Sequence, residues 1–272
     1  MCGRYAASFH PEDLVERMEI EADLSAEHTR SILSGPQEPP VGAPDYNMAP
    51  TKQAAVVLTR RVEQEPVRQL RMLTWGLVPS WAKDTKTAYR MINARAETLF
   101  DKGAYAKAAG ARRCLVPASG WYEWQASPTQ TDAKGKPRKQ PFYTRRADED
   151  LLAFAGLYEF WRDRTLADDD PDAWLVTFTI ITTAAEPGLD RIHDRQPVVL
   201  DRADWSTWLD PAVTDPDDVR RVLTAQPAGR FEAWPVSTAV SSSRSNGPGL
   251  LDPVPRSELH GVVDPETGEI LA

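Results

Sequence analysis

At 272 residues, 41% hydrophobic and with nine tryptophans, the chain is large enough to bury a substantial core in one domain or two. No apolar run approaches the ~18 residues of a membrane-spanning helix, and two cysteines, Cys2 and Cys114, exclude a disulfide framework and any recognisable zinc site. A net charge of −8 excludes a broadly basic, nucleic-acid-coating surface and leaves room for a local basic groove on an acidic body.

The chain opens on Met1-Cys2-Gly3-Arg4-Tyr5. If Met1 is removed, Cys2 carries a free α-amine and a thiol on adjacent carbons. Such a 1,2-aminothiol can use the thiol as nucleophile with the amine as base, or trap an aldehyde as an imine that the sulfur closes to a thiazolidine. A chance cysteine that stays masked is the plain alternative. No basic-then-apolar segment marks a signal peptide, so a cytoplasmic protein is expected, nucleoid-associated in a bacterium or nuclear in a eukaryote.

Pro11 followed by Glu12 and Asp13 predicts a helix start, and the Gly/Pro-rich stretch at about 25–45 an exposed loop. Strands are expected at 53–59, 70–75, 114–117, 121–124, 141–144, 152–157, 174–183 and 231–236, and helices at 94–109, 203–209 and 217–225. The polar, basic stretch at about 125–140 reads as an exposed insertion between two strands of a hairpin. Without a linker or internal repeat, the pattern favours one β-rich α/β domain over 1–272, barrel or sandwich. No heptad seam requires a dimer, so a monomer is expected.

Four later segments carry chemistry. Trp75 and Trp81 flank a Gly/Pro turn and offer either stacking platforms for unpaired bases or ordinary core rings. Asn93, Arg95 and Glu97 alternate, which in an extended stretch puts an amide, a guanidinium and a carboxylate on one side; Asn93 as a helix cap is the plainer reading. Glu123 stands among Trp121, Tyr122 and Trp124, either exposed by strand alternation, which the sequence slightly favours, or desolvated with a raised pKa. His193, framed by Arg191 and Arg195, is one of four histidines and is either a proton shuttle or structural.

Met1-Cys2-Gly3-Arg4-Tyr5, Tyr46-Asn47-Met48-Ala49-Pro50-Thr51, Trp75-Gly76-Leu77-Val78-Pro79-Ser80-Trp81, Ile92-Asn93-Ala94-Arg95-Ala96-Glu97-Thr98, Arg113-Cys114-Leu115-Val116-Pro117, Gly120-Trp121-Tyr122-Glu123-Trp124 and Ile192-His193-Asp194-Arg195 occur in that order. In this the chain resembles the SOS response-associated peptidase (SRAP) family, whose members shield abasic sites in single-stranded DNA. The resemblance spans residues 1 to about 200, with Pro235-Val236-Ser237 and the serine-rich stretch after it similar to the family's C-terminal motif. It implies a single α/β (α+β) domain with a β-barrel-like mixed-sheet core flanked by helices and a positively charged channel. It implies that Cys2 crosslinks to the abasic sugar, Asn93 orients the α-amine, Glu123 manages protons, and His193 assists ring opening and proton transfer at the imine. Arg4, Arg95 and Arg195 would hold phosphates, while Asn47, Pro50, Trp75 and Trp81 would line the DNA path. Autoproteolytic peptidase and strand-incising lyase activities accompany the resemblance; no metal, no cofactor and no membrane partner is implied.

Two departures stand out: Gln196 replaces an expected methionine, and Ser241-Ser242-Ser243-Arg244 replaces a stretch with Asn and Pro, which puts phosphate contacts there in question. Two other function classes compete. Met-Cys-Gly also begins glutamine amidotransferase-like amidohydrolases with an N-terminal cysteine nucleophile, and the same residues would serve a noncovalent single-stranded DNA-binding module.

Overall fold

The computed structural model describes residues 2–101, 103–224 and 229–271. β1 (Tyr5–Ala7) is buried throughout and leads to α1 (Pro11–Arg17), where Asp13 accepts the His10 N–H at 2.9 Å and Pro11 fills a first-turn position that needs no donor. After β2 (Ala22–Asp23), residues 24–44 form neither helix nor strand, matching the loop expected from their Gly and Pro content. The chain then runs through β3 (Asp45–Met48), β4 (Gln53–Val62), β5 (Glu65–Trp75), β6 (Asn93–Arg95), α2 (Gly103–Ala111), β7 (Arg113–Ala118), β8 (Gly120–Thr131) and β9 (Pro137–Arg146). β10 (Leu152–Arg162), β11 (Trp174–Ala184), β12 (Arg195–Pro197), α3 (Arg202–Leu209), α4 (Pro216–Thr224), β13 (Phe231–Pro235), β14 (Val262–Val263) and β15 (Ile270–Leu271) complete it.

Five of these strands close a ring. β5 pairs with β4, β4 with β7, β7 with β10 and β10 with β11, all antiparallel; β11 then returns to β5 in parallel, Thr177 opposite Thr74 and Phe178 opposite Trp75. The result is a closed mixed barrel, which leaves its five strands no open edge. Alternation along the wall divides the apolar residues between two cores. Val57, Leu115, Ala155 and Ile181 face the first, which α2, α3 and α4 cover with Tyr105, Trp205, Trp208, Val219 and Leu223. Val56, Cys114, Phe154 and Phe178 face the second, shared with Cys2, Tyr5 and Trp121. The fold is thus α+β with a barrel core flanked by helices, and the start of the chain is built into it.

A second sheet, in the order β13-β9-β8-β1-β3, carries the N-terminal segment against β8 with Tyr5 opposite Trp121. Two sequence expectations need correction. Residues 94–109 are not one helix: Asn93–Arg95 is a strand paired in parallel with β11, and the helix begins at Gly103. Alanine-rich composition favours helix, but pairing with Ile180, Ile181 and Thr182 overrides it, so Asn93 is not a helix cap. Residues 125–140 are exposed beyond Ala126 as expected, yet they continue β8 and β9 as a paired ribbon to Thr131 and Pro137. The helix expected at 217–225 spans Pro216–Thr224, and Ala225 lies outside the described residues.

Candidate active site

Cys2 is buried, and its carbonyl accepts a hydrogen bond from Asn93 Nδ2 at 2.8 Å. The bond forms because β6 is pinned on three sides. Asn93 lies opposite Ile180, its own carbonyl accepts from the Tyr105 hydroxyl at 3.2 Å, and the preceding Ile92 carbonyl accepts from the Trp75 indole at 2.9 Å. Asn93 Oδ1 is buried and has no hydrogen-bond partner among the described residues. An unused acceptor so placed costs about 1–3 kcal/mol, which suits a position that waits for a donor.

Glu123 is 5% exposed, which overturns the exposed reading of its motif. Alternation along β8 turns Tyr122 into a separate aromatic cluster and turns Glu123 the other way, while the Tyr122 N–H donates to the Arg4 carbonyl at 2.9 Å and ties the strand to the N-terminal segment. Burial pushes the Glu123 carboxyl up to about 7, with Asp194 adding to the rise and the positive chain terminus and Lys139 opposing it. Burial likewise drives the Cys2 thiol far above its usual range, and the charge of Glu123 drives it further, so sulfur and carboxyl share one field.

His193 joins them from the turn after Leu189–Arg191. Burial lowers its pKa, the positive chain terminus adds to that and Asp194 resists; Lys139 lowers it too. Its Nδ1 lies 3.1 Å from the Arg195 N–H and 2.9 Å from Asp194 Oδ1. One nitrogen cannot accept and donate at once. With its proton on Nε2, neutral His193 accepts from Arg195 through Nδ1, and a proton on Nδ1 exchanges that partner for Asp194.

The residues expected along a DNA path divide. Trp81 is 68% exposed and Arg95 is exposed, whereas Pro50 is half-buried. Trp75 is a correction: it is fully buried between Tyr5, at 5.2 Å between ring centres, and Phe178, at 6.4 Å, so its faces meet protein. Its neighbour Gly76 has φ +124°, and a Cβ there would stand 2.4 Å from the Ala88 carbonyl oxygen, so the motif's glycine is a packing requirement. Asn47 is buried, and its Nδ2 donates to the carbonyls of Val240, Ser242 and Ser245. Arg4, half-buried, donates to Asn47 Oδ1 at 2.7 Å and to the Val240 carbonyl at 2.9 Å. Arg195 makes a two-pronged pair with Glu97 at 2.7 and 2.9 Å, which holds that carboxyl below its usual range.

Both sequence departures make contacts here. In the serine-rich stretch the Ser242 carbonyl accepts from Asn47 Nδ2 at 2.9 Å and the Ser241 hydroxyl accepts the Trp124 indole N–H at 3.0 Å. Gln196 accepts the Glu186 N–H at 2.9 Å and fixes the turn before His193. Sequence reasoning missed Lys139, whose charge reaches both Glu123 and His193; its place opposite Ala126 on the hairpin is visible only once the register is known. It also missed Tyr89, an exposed ring in a segment with exposed Lys83, Lys86 and Arg90. Among the described residues no three His, Cys, Asp or Glu side chains gather as a metal site, and no helix is long and apolar enough to cross a membrane.

The chain is similar to known proteins in sequence and in fold. The chain is 35% identical over 254 residues to the abasic site processing protein YoqW of Bacillus subtilis (strain 168), covering 93% of this chain and 99% of that one. It is 28% identical over 274 residues to the abasic site processing protein HMCES of Xenopus tropicalis, covering 91% and 77%. A crystal structure of a phage-related protein from Bordetella bronchiseptica superposes with a TM-score of 0.58 at 32% identity, over 86% of this chain and 94% of that one. One from Bacteroides thetaiotaomicron gives a TM-score of 0.70 at 21% identity, over 93% and 100%, a likeness of fold alone. Residues 1–243 match the profile described as SOS response associated peptidase (SRAP), and the chain belongs to that family.

Proposed function

We propose that this chain processes abasic sites in single-stranded DNA by bonding to them covalently through Cys2 once Met1 is removed. The observation that carries the reading is the Asn93 side chain: its Nδ2 holds the Cys2 carbonyl, and its buried Oδ1 has no hydrogen-bond partner among the described residues. In the reaction the α-amine gives up its proton to Glu123, whose carboxyl near 7 is close to balanced between the two states. The amine adds to the aldehyde of the ring-opened sugar, and loss of one water leaves an imine. The Cys2 S–H then adds across the carbon–nitrogen double bond, sulfur to carbon and proton to nitrogen, closing a thiazolidine. His193 shuttles a proton during ring opening and dehydration. Strand incision by elimination from the same imine, and peptidase activity before Cys2, extend this reading.

Burial and Glu123 hold the Cys2 sulfur protonated, so in either reading the thiol needs a base as its new bond forms. Exposed Trp81 and Arg95 suit stacking and phosphate contact, while a phosphate at Arg195 would have to displace Glu97. The test incubates the purified protein, its loss of Met1 confirmed by mass spectrometry, with an abasic oligonucleotide. A denaturant-stable adduct that Cys2→Ala eliminates is expected. Glutaminase activity without an adduct would favour the amidohydrolase, and binding that survives Cys2→Ala without any adduct would favour a noncovalent reader.

A further inference from the structure

The family profile ends at residue 243, and the segment beyond it folds back onto the site. β14 and β15 form a hairpin, Val262 opposite Leu271 and Val263 opposite Ile270, seated against β8. Three sets of contacts join this hairpin to the turn that bears His193. The Arg191 guanidinium donates to the carbonyls of Pro265 at 2.6 Å and Glu266 at 3.0 Å. Ile192 packs in one cluster with Leu259, Val262 and Phe142. Gln125, 2% exposed, donates through Nε2 to the carbonyls of Val263 at 2.8 Å and Arg191 at 3.1 Å, and its Oε1 accepts the Val263 N–H at 2.7 Å.

Gln125 stands two residues beyond Glu123 on β8, so both side chains leave the same face of the strand. A leucine would fill that volume with apolar atoms alone. The amide instead fixes the mutual register of the Glu123 strand, the His193 turn and the C-terminal hairpin, because each of its bonds is directional and buried. We propose that the hairpin Val262–Leu271 is a strap that sets the position of His193, with Gln125 the positioning residue that couples it to the strand of Glu123. The base of the strap, where the Gly261 N–H donates to the Leu271 carbonyl at 2.7 Å, is equally tight. Ser127 Oγ donates to the Gly261 carbonyl at 2.6 Å, and Gly261 has φ +66° with no room for a side chain, a Cβ there falling 2.6 Å from Gln130 Cγ and Thr129 Oγ1.

The catalytic meaning of this strap rests on the capture reading above, so the test reads His193 directly as well as through activity. In the full chain, Gln125→Leu releases the strap at the site, and Gly261→Val unseats it at its base, through a residue that touches Ser127, Thr129 and Gln130 rather than Gln125. The imidazole of His193, assigned with His193→Ala, is titrated by NMR in each. In the wild type, burial holds its midpoint low, the positive chain terminus and Lys139 add to that lowering and Asp194 resists it, with Glu123 in the field of the same three charges. In both variants the midpoint should rise towards the ordinary imidazole value, with His10 and His28 unmoved and the Val263 amide losing protection from hydrogen exchange. Adduct formation should slow roughly ten- to a hundredfold, the scale of a misplaced group. A Val263 amide still protected in Gly261→Val, or an unchanged His193 titration once protection is lost, would overturn the proposal. If Gln125→Leu does not fold, Gly261→Val decides alone. If the wild type forms no adduct, the capture reading fails while the titration still judges the strap.

Discussion

The Asn93 amide and the Cys2 carbonyl, 91 residues apart in sequence, meet at 2.8 Å and fix the main chain of Cys2 on its carbonyl side. That leaves the amine and thiol as the parts of the residue available to react. Asn93→Ala should therefore cost roughly 1–3 kcal/mol of stability, since a buried carbonyl loses its donor. It should slow adduct formation by more than stability explains, about ten- to a hundredfold, because an unanchored Cys2 samples unproductive geometries. Single-turnover crosslinking at a temperature where both proteins are folded checks this. An unchanged rate would leave Asn93 a structural residue only.

The raised carboxyl of Glu123 makes a prediction about pH whose sign is fixed. A carboxyl that ordinarily titrates near 4.5 and here titrates at about 7 keeps a proton in the folded protein that the unfolded chain releases. Stability from this group is whole below the lower value and falls as pH rises through the window, by about 3 kcal/mol in all. His193 runs the other way, because its lowered pKa makes the folded state bind fewer protons than the unfolded chain, so that this contribution is lost as pH falls. Glu123→Gln should remove the falling limb, seen as urea midpoints that no longer drop between pH 4.5 and 7.5, and should slow the adduct about a hundredfold. Parallel midpoint curves for the two proteins would contradict the buried, proton-holding carboxyl.

Cys2, Asn93, Glu123 and His193 each have a plainer reading on their own residues, and they stand out in the sequence through the ordered motifs that resemble the SRAP family; the structure joins Asn93 to Cys2 by a hydrogen bond and sets Glu123 in the field of the thiol. What one chain could not disclose is environment. β8 is buried on both faces over Gly120–Glu123 and largely exposed from Ala126 on, and nothing local in Trp121-Tyr122-Glu123-Trp124 tells that this end of the strand meets the N-terminal segment. Asn93 illustrates the point in reverse: its local sequence favours helix, and only pairing with β11, some ninety residues later, makes it a strand. Barrel closure was equally hidden, since the β11 to β5 contact rests on two residues of each strand.

Lys139 offers a test of how an acidic protein meets a polyanion. It is exposed on β9, and its charge reaches both Glu123 and His193. If it also meets a phosphate, Lys139→Gln should weaken binding of an abasic strand uniformly across sequences and reduce the salt dependence by about one counterion. The same substitution should nudge Glu123 upward, since the positive charge holds that carboxyl down. Binding titrations over a series of salt concentrations separate the two effects. An identical salt slope would confine Lys139 to tuning the proton groups.

Trp75 and Trp81 flank one turn and invite the same mutation, yet the structure gives them opposite consequences. Trp75 is fully buried, packs on Tyr5 and Phe178, and donates its indole N–H to the Ile92 carbonyl beside Asn93. Trp75→Ala should cost about 3–5 kcal/mol of stability through the cavity it leaves, and any loss of DNA binding should track unfolding. Trp81 is 68% exposed, so Trp81→Ala should alter stability by less than about 0.5 kcal/mol. If its ring stacks on a base, the same change should remove about 1–3 kcal/mol of single-strand affinity, a loss measurable by fluorescence anisotropy with Cys2→Ala as background to prevent crosslinking. Tyr89→Ala should behave like Trp81→Ala in stability, because that ring is also exposed. Full affinity in Trp81→Ala would move the stacking surface away from this turn.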